Sequence, residues 1–501
     1  MLMSTAPISI PREHIVPREH IVVDLDGTLV LTDTFAASLL ETFRKYPLRI
    51  PGVIASLFGG RASCKRLAAG LAHLDVACLP YNEPLLDYLR EERAAHHHLI
   101  LATGADLSIA NRVAEHLGIF DEVIASDGRR NVTGDEKLRA IRERIGDAPF
   151  TYAGNSRADL RVWKGAKSAI LVGAPSSCAR HLREAGITIE RDFGRSDFLI
   201  RGIGHRLRVL SRCLRTHQWS KNVLVFAPLF LGHRLGDPAI IGHALIAFLA
   251  LSFCASSLYI VNDLLDLQSD RLHPTKRRRP LAAGQIGVEA GLGISAATVA
   301  AAGGLSLLLP PEARIMLACY ASSSLLYSLK LKRLLFVDVV TLAMLYALRV
   351  LYGGAATGIA ISVWTLAFSL FLFTSLAAVK RVAELRRVKT SATEVPNARG
   401  YREDDGNQLA SLASAGGYVA VLVFALYINS PEVTLLYAYP KGLWLLCPIL
   451  IYWISRITLI ANRGALDDDP VAFALKDRAT WICGALAALV LLLSTWAHIA
   501  R

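Results

Sequence analysis

Three aspartates in one short polar segment, residues 262–284, have the types and spacing for chemistry. Asp263, Asp266 and Asp270 advance by three and then four residues, so a helix would present them on one face. Such carboxylates repel one another unless a cation lies between them, and oxygen ligands of this kind suit Mg²⁺. Cationic side chains that can hold phosphate oxygens follow, namely Arg271, Lys276, Arg277, Arg278 and Arg279. The segment therefore predicts a site for a diphosphate-bearing substrate; a solvated basic loop would explain the bases but not three acids in register.

A second set of polar side chains follows apolar runs in the first half of the chain. These residues are Asp24, Asp26, Thr103, Lys137, Asn155 and Asp159. The runs that precede them, near 21–23, 98–103 and 150–154, read as buried strands, and 137–145 reads as an amphipathic helix. A strand that delivers carboxylates at its C-terminal end is where α/β folds place chemistry. The pattern predicts a soluble α/β domain with a site at one edge of its sheet.

The Asp-rich segment directly follows an apolar run, and the second half of the chain consists of such runs separated by short polar loops. We predict about nine transmembrane helices, each close to the length that crosses a hydrocarbon layer of ~30 Å. They fall near 222–236, 239–261, 286–309, 312–329, 336–357, 360–379, 408–428, 434–457 and 479–499. The fold class is thus an α/β domain followed by an all-α polytopic membrane domain.

Charge predicts the orientation of these helices. Lys and Arg concentrate in the loops after even-numbered spans, so those loops, the Asp-rich segment and the soluble domain are predicted to be cytoplasmic. The net charge of +13 fits basic loops near anionic lipid. No aromatic residues interleave with a basic patch, so no nucleic-acid partner is predicted. The eight cysteines are scattered without a CxxC pair, which argues against a zinc site or a disulfide framework.

The order of motifs in the soluble half resembles the haloacid dehalogenase (HAD) superfamily of phosphotransferases. The resemblance implies a nucleophile at Asp24, a general acid/base at Asp26, a phosphate-binding hydroxyl at Thr103 and a phosphate-neutralising amine at Lys137. It also implies Mg²⁺ held by Asp24, Asp26, Asn155 and Asp159. Where the family often has Gly-Asp, this chain has Gly154-Asn155, so a carbonyl replaces a charged ligand and metal affinity is expected to fall. A retained fold without turnover is the alternative.

A helical cap is predicted between the first two strands, over residues 34–93. Residues 57–71 combine apolar side chains with Arg61, Lys65 and Arg66. Two interpretations stay open for this stretch. It could touch the membrane surface, or it could be an ordinary cap helix with a solvated face.

Several polar residues lie where a plain membrane span would not have them. Arg349 lies well inside the fifth predicted span, where a charge indicates a functional site. Tyr327 stands at a predicted cytoplasmic helix end, and Lys221 precedes the first span. Lys380 and Glu384 are one helical turn apart, so an i,i+4 ion pair and a substrate role are both open for them.

The membrane half, over about 212–499, resembles the UbiA superfamily of intramembrane prenyltransferases, because Asn262-Asp263, Asp266 and Asp270 follow the second span. Its second polar loop lacks the further Asp-rich motif of aromatic-acceptor members. The continuation Asp270 to Pro280 resembles the branch typified by decaprenyl-phosphate phosphoribosyltransferase, a cell-wall precursor enzyme. That branch implies Mg²⁺-dependent transfer of 5-phosphoribosyl from phosphoribosyl pyrophosphate to a polyprenyl phosphate. The substrate-binding residues implied are Lys221, Asn262, Lys276, Arg277, Tyr327, Arg349, Lys380 and Glu384, with Asp263, Asp266 and Asp270 as catalytic metal ligands.

These interpretations give four segments: a 1–20 extension, a 21–200 HAD-like phosphatase, a 201–220 basic connector and a 221–501 transferase. The leading hypothesis is a multi-pass enzyme of the inner (cytoplasmic) membrane, whose HAD domain removes the 5-phosphate of the product. A homo-oligomer remains possible. The first alternative is a UbiA-type enzyme that moves a prenyl group from its diphosphate to an aromatic or other acceptor. The second is a transporter with a regulatory domain, which the absence of an evident repeat between halves disfavours.

Overall fold

The computed structural model describes residues 19–194, 203–390, 400–402, 404–431, 433, 437, 439–466 and 470–499. The chain forms two compact units. The first comprises Met1–Cys213 together with Asp263–Leu292, and the second comprises Leu214–Asn262 and Gly293–Arg501. The Asp-rich segment therefore groups with the soluble unit, although it lies within the predicted membrane half of the sequence.

The first unit is built on a six-stranded parallel sheet in the order β3-β2-β1-β4-β5-β6. The strands are β1 His20–Val23, β2 His98–Asp106, β3 Glu122–Ser126, β4 Phe150–Gly154, β5 Ser168–Leu171 and β6 Thr188–Asp192. β1 pairs with β2 on one side and β4 on the other. The direction of strand succession reverses there, and a crevice opens at the carboxyl ends of strands at such a point. The predicted α/β architecture is confirmed.

Both faces of this sheet are buried, as a parallel sheet requires. Val22 and Ile100 pack with Trp163 on one face, whereas Val23 and Leu101 pack on the other. The helices that cover the sheet are Glu83–Ala94, Leu107–Leu117, Asp135–Ile145, Leu160–Trp163 and Ser176–Glu184. Between β1 and β2 lies the predicted cap, which is helical over Thr34–Lys45, Ile50–Ala55 and Arg61–Ala72.

The second unit is helical. Its α-helices are Ala227–Leu231, Pro238–Leu265, Val288–Ser306, Pro311–Leu329, Val337–Thr357, Val363–Thr390, Asp405–Ile428, Leu446–Asn462, Pro470–Lys476 and Arg478–Ile499. The end of Pro238–Leu265 and the start of Val288–Ser306 are assigned to the first unit. Among the residues that the structure describes, six helical segments are long and apolar enough to cross a bilayer: Pro238–Leu265, Val288–Ser306, Val337–Thr357, Val363–Arg386, Asp405–Ile428 and Pro440–Asn462. The protein is thus a membrane protein, and the prediction of nine spans is not confirmed.

The first predicted span, 222–236, is wrong as a continuous helix. The chain there forms a 3₁₀-helix, Thr216–Phe226, and then the short helix Ala227–Leu231. This 3₁₀ segment packs directly on the helix Val337–Thr357. A Cβ atom added at Gly353 would lie 2.8 Å from the carbonyl carbon of Val225 and 3.0 Å from its Cα. Gly353 is therefore the residue that allows two backbones to approach closely, as small residues do between membrane helices.

Gly353→Ala should destabilise the membrane unit, because the added methyl meets backbone atoms that cannot rotate away. Overpacking of this kind costs about 1–3 kcal/mol. The change should lower the thermal unfolding midpoint of the detergent-purified protein. Gly303→Ala is the matched control, because a Cβ at Gly303 has no neighbour within 4 Å. Equal midpoints for the two variants would contradict the close contact.

Candidate active sites

The HAD-like site is centred on a buried ion pair at the carboxyl end of β1. Asp24 is held in place because its N–H donates to Ala153 O of β4 at 3.0 Å. Lys137, on the helix Asp135–Ile145, donates from Nζ to Asp24 Oδ1 at 2.7 Å. Burial alone would lower the pKa of Lys137, but the carboxylates of Asp24 and Asp159 raise it. The amine is thus a permanent cation beside the predicted nucleophile.

Tyr152 links this pair to Asp159, and sequence reasoning missed it. Lys137 Nζ donates to Tyr152 Oη at 3.0 Å, and that hydroxyl donates to Asp159 Oδ1 at 2.8 Å. The other oxygen, Asp159 Oδ2, accepts from Asn155 N, Ser156 N and Ser156 Oγ at 2.9–3.1 Å. Asp159 therefore organises the loop after β4. The signal that could have pointed to Tyr152 is its hydroxyl on a strand two residues before the Gly154 loop.

Asp26 lies on the loop after β1 and accepts a hydrogen bond from Thr34 N at 2.8 Å. Burial and the negative charge of Asp33 raise the pKa of Asp26 to about 7. Burial raises the pKa of Asp24 to about 6. Asp26 thus holds its proton to a higher pH than Asp24 does, an order that would suit the predicted roles of Asp24 as nucleophile and Asp26 as general acid.

Thr103 ends the apolar part of β2 and is fully buried. Its oxygen accepts from Ala105 N at 3.0 Å, and its predicted role in binding phosphate stays a prediction. The cap reaches this corner too. Lys65 donates to Gly104 O at 2.6 Å and to Asn131 Oδ1 at 3.2 Å, and burial lowers the pKa of Lys65. Lys65 is thus a cap residue at the site, not part of a membrane-facing patch.

The donors fit Mg²⁺ by their chemistry, because carboxylate and amide oxygens are its preferred protein ligands. Asn155 lies against the Asp24 loop, and a side chain at Gly27 would collide with its amide. Gly27 also has φ +75°, which favours glycine. No three carboxylate, imidazole or thiol groups converge within the described ranges. The lower metal affinity expected from Asn155 in place of an acid stays a prediction.

Hydrolysis of an alkyl phosphate should be fastest between about pH 6 and pH 7. Below this window Asp24, with its pKa of about 6, gains a proton and loses nucleophilicity; above it Asp26, with its pKa of about 7, loses the proton that the leaving alkoxide needs. Asp26→Asn should slow alkyl phosphate hydrolysis ~10²–10⁴-fold and flatten the alkaline limb. An aryl phosphate with an acidic leaving group serves as the control, because it needs no proton and should lose far less. Equal losses for both substrates would contradict the acid role.

In the Asp-rich segment, Arg279 lies between two of the three aspartates. Its Nη1 contacts Asp263 Oδ1 at 2.9 Å and Asp270 Oδ2 at 2.5 Å. Both carboxylates are buried, so they face one position that a cation occupies. Burial raises the pKa of Asp270, and Arg279 partly offsets this effect. The group that bridges Asp263 and Asp270 in the structure is the Arg279 guanidinium, and Mg²⁺ between the three acids stays a prediction.

The expectation of one continuous helix through the three acids is wrong. The helix Pro238–Leu265 ends before Asp266, whose φ and ψ are −93° and 11°, and a short helix Leu267–Leu272 follows. Asp266 lies at the N-cap position of this short helix, and its side chain makes no cap hydrogen bond. Asp266 is partly exposed, and the oxygen-rich donors Asp263 and Asp270 still fit Mg²⁺. Of the predicted phosphate ligands, Lys276 is partly buried and Arg277 is exposed.

Within the second unit, Arg381 gathers two predicted residues and two that were not predicted as site residues. Its guanidinium bonds Asp338 Oδ2 at 2.5 Å, Glu384 Oε2 at 2.5 Å and Tyr327 Oη at 2.9 Å. Tyr401 donates to Asp338 Oδ1 at 2.6 Å. Arg381 and Asp338 are buried almost completely. Sequence reasoning named Tyr327 and Glu384 but missed the arginine between them.

Arg349 lies in a different polar cluster of the second unit. It donates to Asn222 Oδ1 at 3.1 Å, to Tyr320 Oη at 2.9 Å and to Leu345 O at 2.6 Å. Its guanidinium also stacks on Tyr320 and Tyr346, 5.0 and 4.9 Å from the ring centroids. These contacts tie the 3₁₀ segment to the helix Val337–Thr357. Lys221 is partly buried next to Asn222, and Lys380 is partly buried next to Arg381. Asn262 accepts from Lys332 Nζ at 3.4 Å.

Comparison with known proteins finds a different family in each half of the chain. The UbiA prenyltransferase family model matches residues 223–473, about half of the chain, and the haloacid dehalogenase-like hydrolase model matches residues 21–164. The chain belongs to the UbiA prenyltransferase family and carries a HAD-like hydrolase domain at its N-terminus. It is therefore an enzyme, a UbiA-type transferase with a hydrolase domain of the phosphatase type.

The chain is also similar in sequence to three individual proteins. The chain is 37% identical over 473 residues to the uncharacterized protein y4nM of Sinorhizobium fredii, covering 93% of this chain and 89% of that protein. It is 30% identical over 272 residues to nodulation protein NoeC of Azorhizobium caulinodans, covering 54% and 87%. It is 29% identical over 274 residues to decaprenyl-phosphate phosphoribosyltransferase of Mycobacterium tuberculosis, covering 53% and 87%.

Proposed function

We propose that the UbiA-type domain transfers the 5-phosphoribosyl group of phosphoribosyl pyrophosphate to a polyprenyl phosphate in the inner (cytoplasmic) membrane, with Mg²⁺ as cofactor. The observation that carries the proposal is the convergence of two buried carboxylates, Asp263 and Asp270, on a single cation, which is the Arg279 guanidinium in the structure. The resemblance to enzymes named decaprenyl-phosphate phosphoribosyltransferase supports this sugar donor over a prenyl diphosphate. The acceptor's chain length is left open.

In this reaction a phosphate oxygen of the lipid bonds to the anomeric carbon of the sugar. The bond from that carbon to pyrophosphate breaks, and the electron pair leaves with pyrophosphate. Bound Mg²⁺ would neutralise charge on the leaving group, and Asp263, Asp266 and Asp270 would hold it. Lys276 and Arg277 would bind phosphate oxygens. The further substrate-binding residues that we propose are Lys221, Asn262, Tyr327, Arg349, Lys380 and Glu384.

The lipid-linked product keeps a 5-phosphate, and we propose that the HAD-like domain removes it. Asp24 would attack the phosphorus and release the sugar oxygen, which takes its proton from Asp26. Thr103 and Lys137 would bind the phosphoryl oxygens, and Asp26 would then accept a proton from the water that hydrolyses the aspartyl phosphate. Mg²⁺ on Asp24, Asp26, Asn155 and Asp159 would supply further positive charge. Both sites would face the cytoplasm, where the two substrates carry their phosphates.

The experiment uses the full-length protein in vesicles with phosphoribosyl pyrophosphate labelled separately in the ribose and in the 5-phosphate. The expected result is ribose label in the lipid fraction and 5-phosphate label as free phosphate. Ribose label in lipid without phosphate release would overturn the hydrolase step alone. No ribose label in lipid, together with consumption of a prenyl diphosphate, would overturn the phosphoribosyl transfer in favour of prenyl transfer.

A further inference from the structure

We propose that the cap of the hydrolase domain carries a docking surface for an anionic lipid bilayer, a function beyond the two reactions proposed above. The surface is the cap tip, defined as residues 43–61. Phe58 is 98% exposed and Leu48 is 94% exposed. Other large hydrophobic side chains of the cap tip are exposed as well, namely Phe43, Tyr46, Ile54 and Leu57. Exposed large apolar side chains gathered in one short stretch of a folded domain indicate an interaction surface.

The cap tip is packed against the rest of the cap. It is anchored from inside by Val53, which is fully buried and packs with Cys64 and Ala68. Cys64 Sγ lies 3.3 Å from Val53 O, so the tip is bound to the helix Arg61–Ala72. With one side chain of the stretch Pro47–Gly59 turned inward, its other large apolar side chains have no core to join.

The length of the apolar stretch indicates how it would meet lipid. Pro47–Gly59 is apolar and helical but is shorter than the six helices that could cross a bilayer. A span needs ~20 apolar residues. A short helical element with apolar side chains and a basic polar face lies in the plane of the headgroups instead.

The positive charge of the cap indicates that the surface it binds is anionic. From residue 42 to residue 74 the sequence holds six Lys or Arg and no Asp or Glu. Two of them, Lys65 and Arg66, bind Gly104 O and Asp127 O within the domain. Glu41 pairs with Arg44 and Lys45. Arg49 and Arg61 are exposed at the two ends of the apolar stretch, where they would meet lipid phosphates.

A bilayer fits these features better than a protein partner does. The chain is itself a membrane protein, so every copy of this domain is tethered to a bilayer. A lipid surface requires apolar tips and cations but no matching shape, and the cap tip offers just those. The docking does not depend on which phosphate ester the HAD-like site hydrolyses, and it therefore stands or falls separately from the proposed function.

The test uses full-length protein with a benzophenone amino acid at position 58, reconstituted into nanodiscs of neutral lipid or of neutral and anionic lipid mixed. After irradiation, mass spectrometry identifies what is joined to the peptide. We expect lipid adducts at position 58, at least five-fold more with anionic lipid. The matched control is the same amino acid at position 90, an exposed site on the helix Glu83–Ala94, which should give no lipid adduct. Adducts to protein peptides at position 58, or no adduct, would overturn the proposal.

Arg49→Glu combined with Arg61→Glu should remove the preference for anionic lipid, because both cations are exposed and lie outside the catalytic machinery. Hydrolysis of a water-soluble phosphate ester and transfer to lipid should stay within two-fold of the parent, which shows that the variant is folded. An unchanged lipid preference in this variant would show that the charges do not act, and the proposal would fail.

Discussion

Asp24→Asn should abolish release of the 5-phosphate while lipid-linked ribose phosphate continues to accumulate. Asparagine keeps the volume of the side chain and can still accept from Lys137, whose Nζ lies 2.7 Å from Asp24 Oδ1 in the parent. It cannot form an aspartyl phosphate, however. Loss of a nucleophile costs on the order of 10⁴- to 10⁶-fold in turnover. Labelled phosphate release and labelled lipid, measured in one reaction, separate the two steps.

Asp147→Asn is the control for this variant, because Asp147 lies in an exposed turn of the same domain and should leave both products unchanged. Phosphate release at the parent's rate would exclude Asp24 as the nucleophile. Loss of both products would indicate that the two domains do not act independently.

Asp270→Asn should reduce phosphoribosyl transfer on the order of 10³-fold, since a metal that assists the leaving group contributes several kcal/mol. The change leaves Asp263 as the single carboxylate bound by Arg279. The Arg279 guanidinium then neutralises the remaining charge, and little affinity for Mg²⁺ is left. Initial rates at a series of Mg²⁺ concentrations measure both the loss and the shift in metal requirement.

Glu289→Gln provides the comparison, because Glu289 is an exposed acid in the first turn of Val288–Ser306. It should transfer at the parent's rate. Phosphate release from a soluble ester should be unchanged in both variants, which reports that the HAD-like domain is intact. Parental transfer by Asp270→Asn with an unaltered Mg²⁺ requirement would remove the Asp-rich segment from the proposed mechanism.

Sequence reasoning found the HAD-like residues because each of them ends a strand or begins a helix with a recognisable pattern. Asp24 and Lys137 are 113 residues apart in the chain. They meet because the loops that follow parallel strands all lie at the edge of the sheet formed by the carboxyl ends of those strands. Tyr152 escaped notice because a tyrosine within a buried strand fits the core as well as the site. Its hydroxyl gains meaning only when Lys137 and Asp159 are seen on either side of it.

The membrane half was less predictable, for a physical reason. Lys380, Arg381 and Glu384 are all polar residues of one helical turn, and spacing alone cannot tell which of them faces inward. Arg381 is the buried one because Asp338, 43 residues earlier, lies opposite it. Hydropathy likewise could not reveal that residues 216–231 form a 3₁₀-helix and a short α-helix, since their composition suits either form.

The contacts of Arg381 also limit how far two neighbouring helices can shift along their axes relative to each other. Helices in lipid can slide past one another at little cost, because apolar side chains find similar neighbours one turn away. Asp338, near the start of Val337–Thr357, and Arg381, near the end of Val363–Thr390, forbid such a slip, because separating them would strand two buried charges. The pair therefore sets the axial registry of the two helices. It thereby fixes the positions of Tyr327 and Glu384, which both bond Arg381, relative to these two helices.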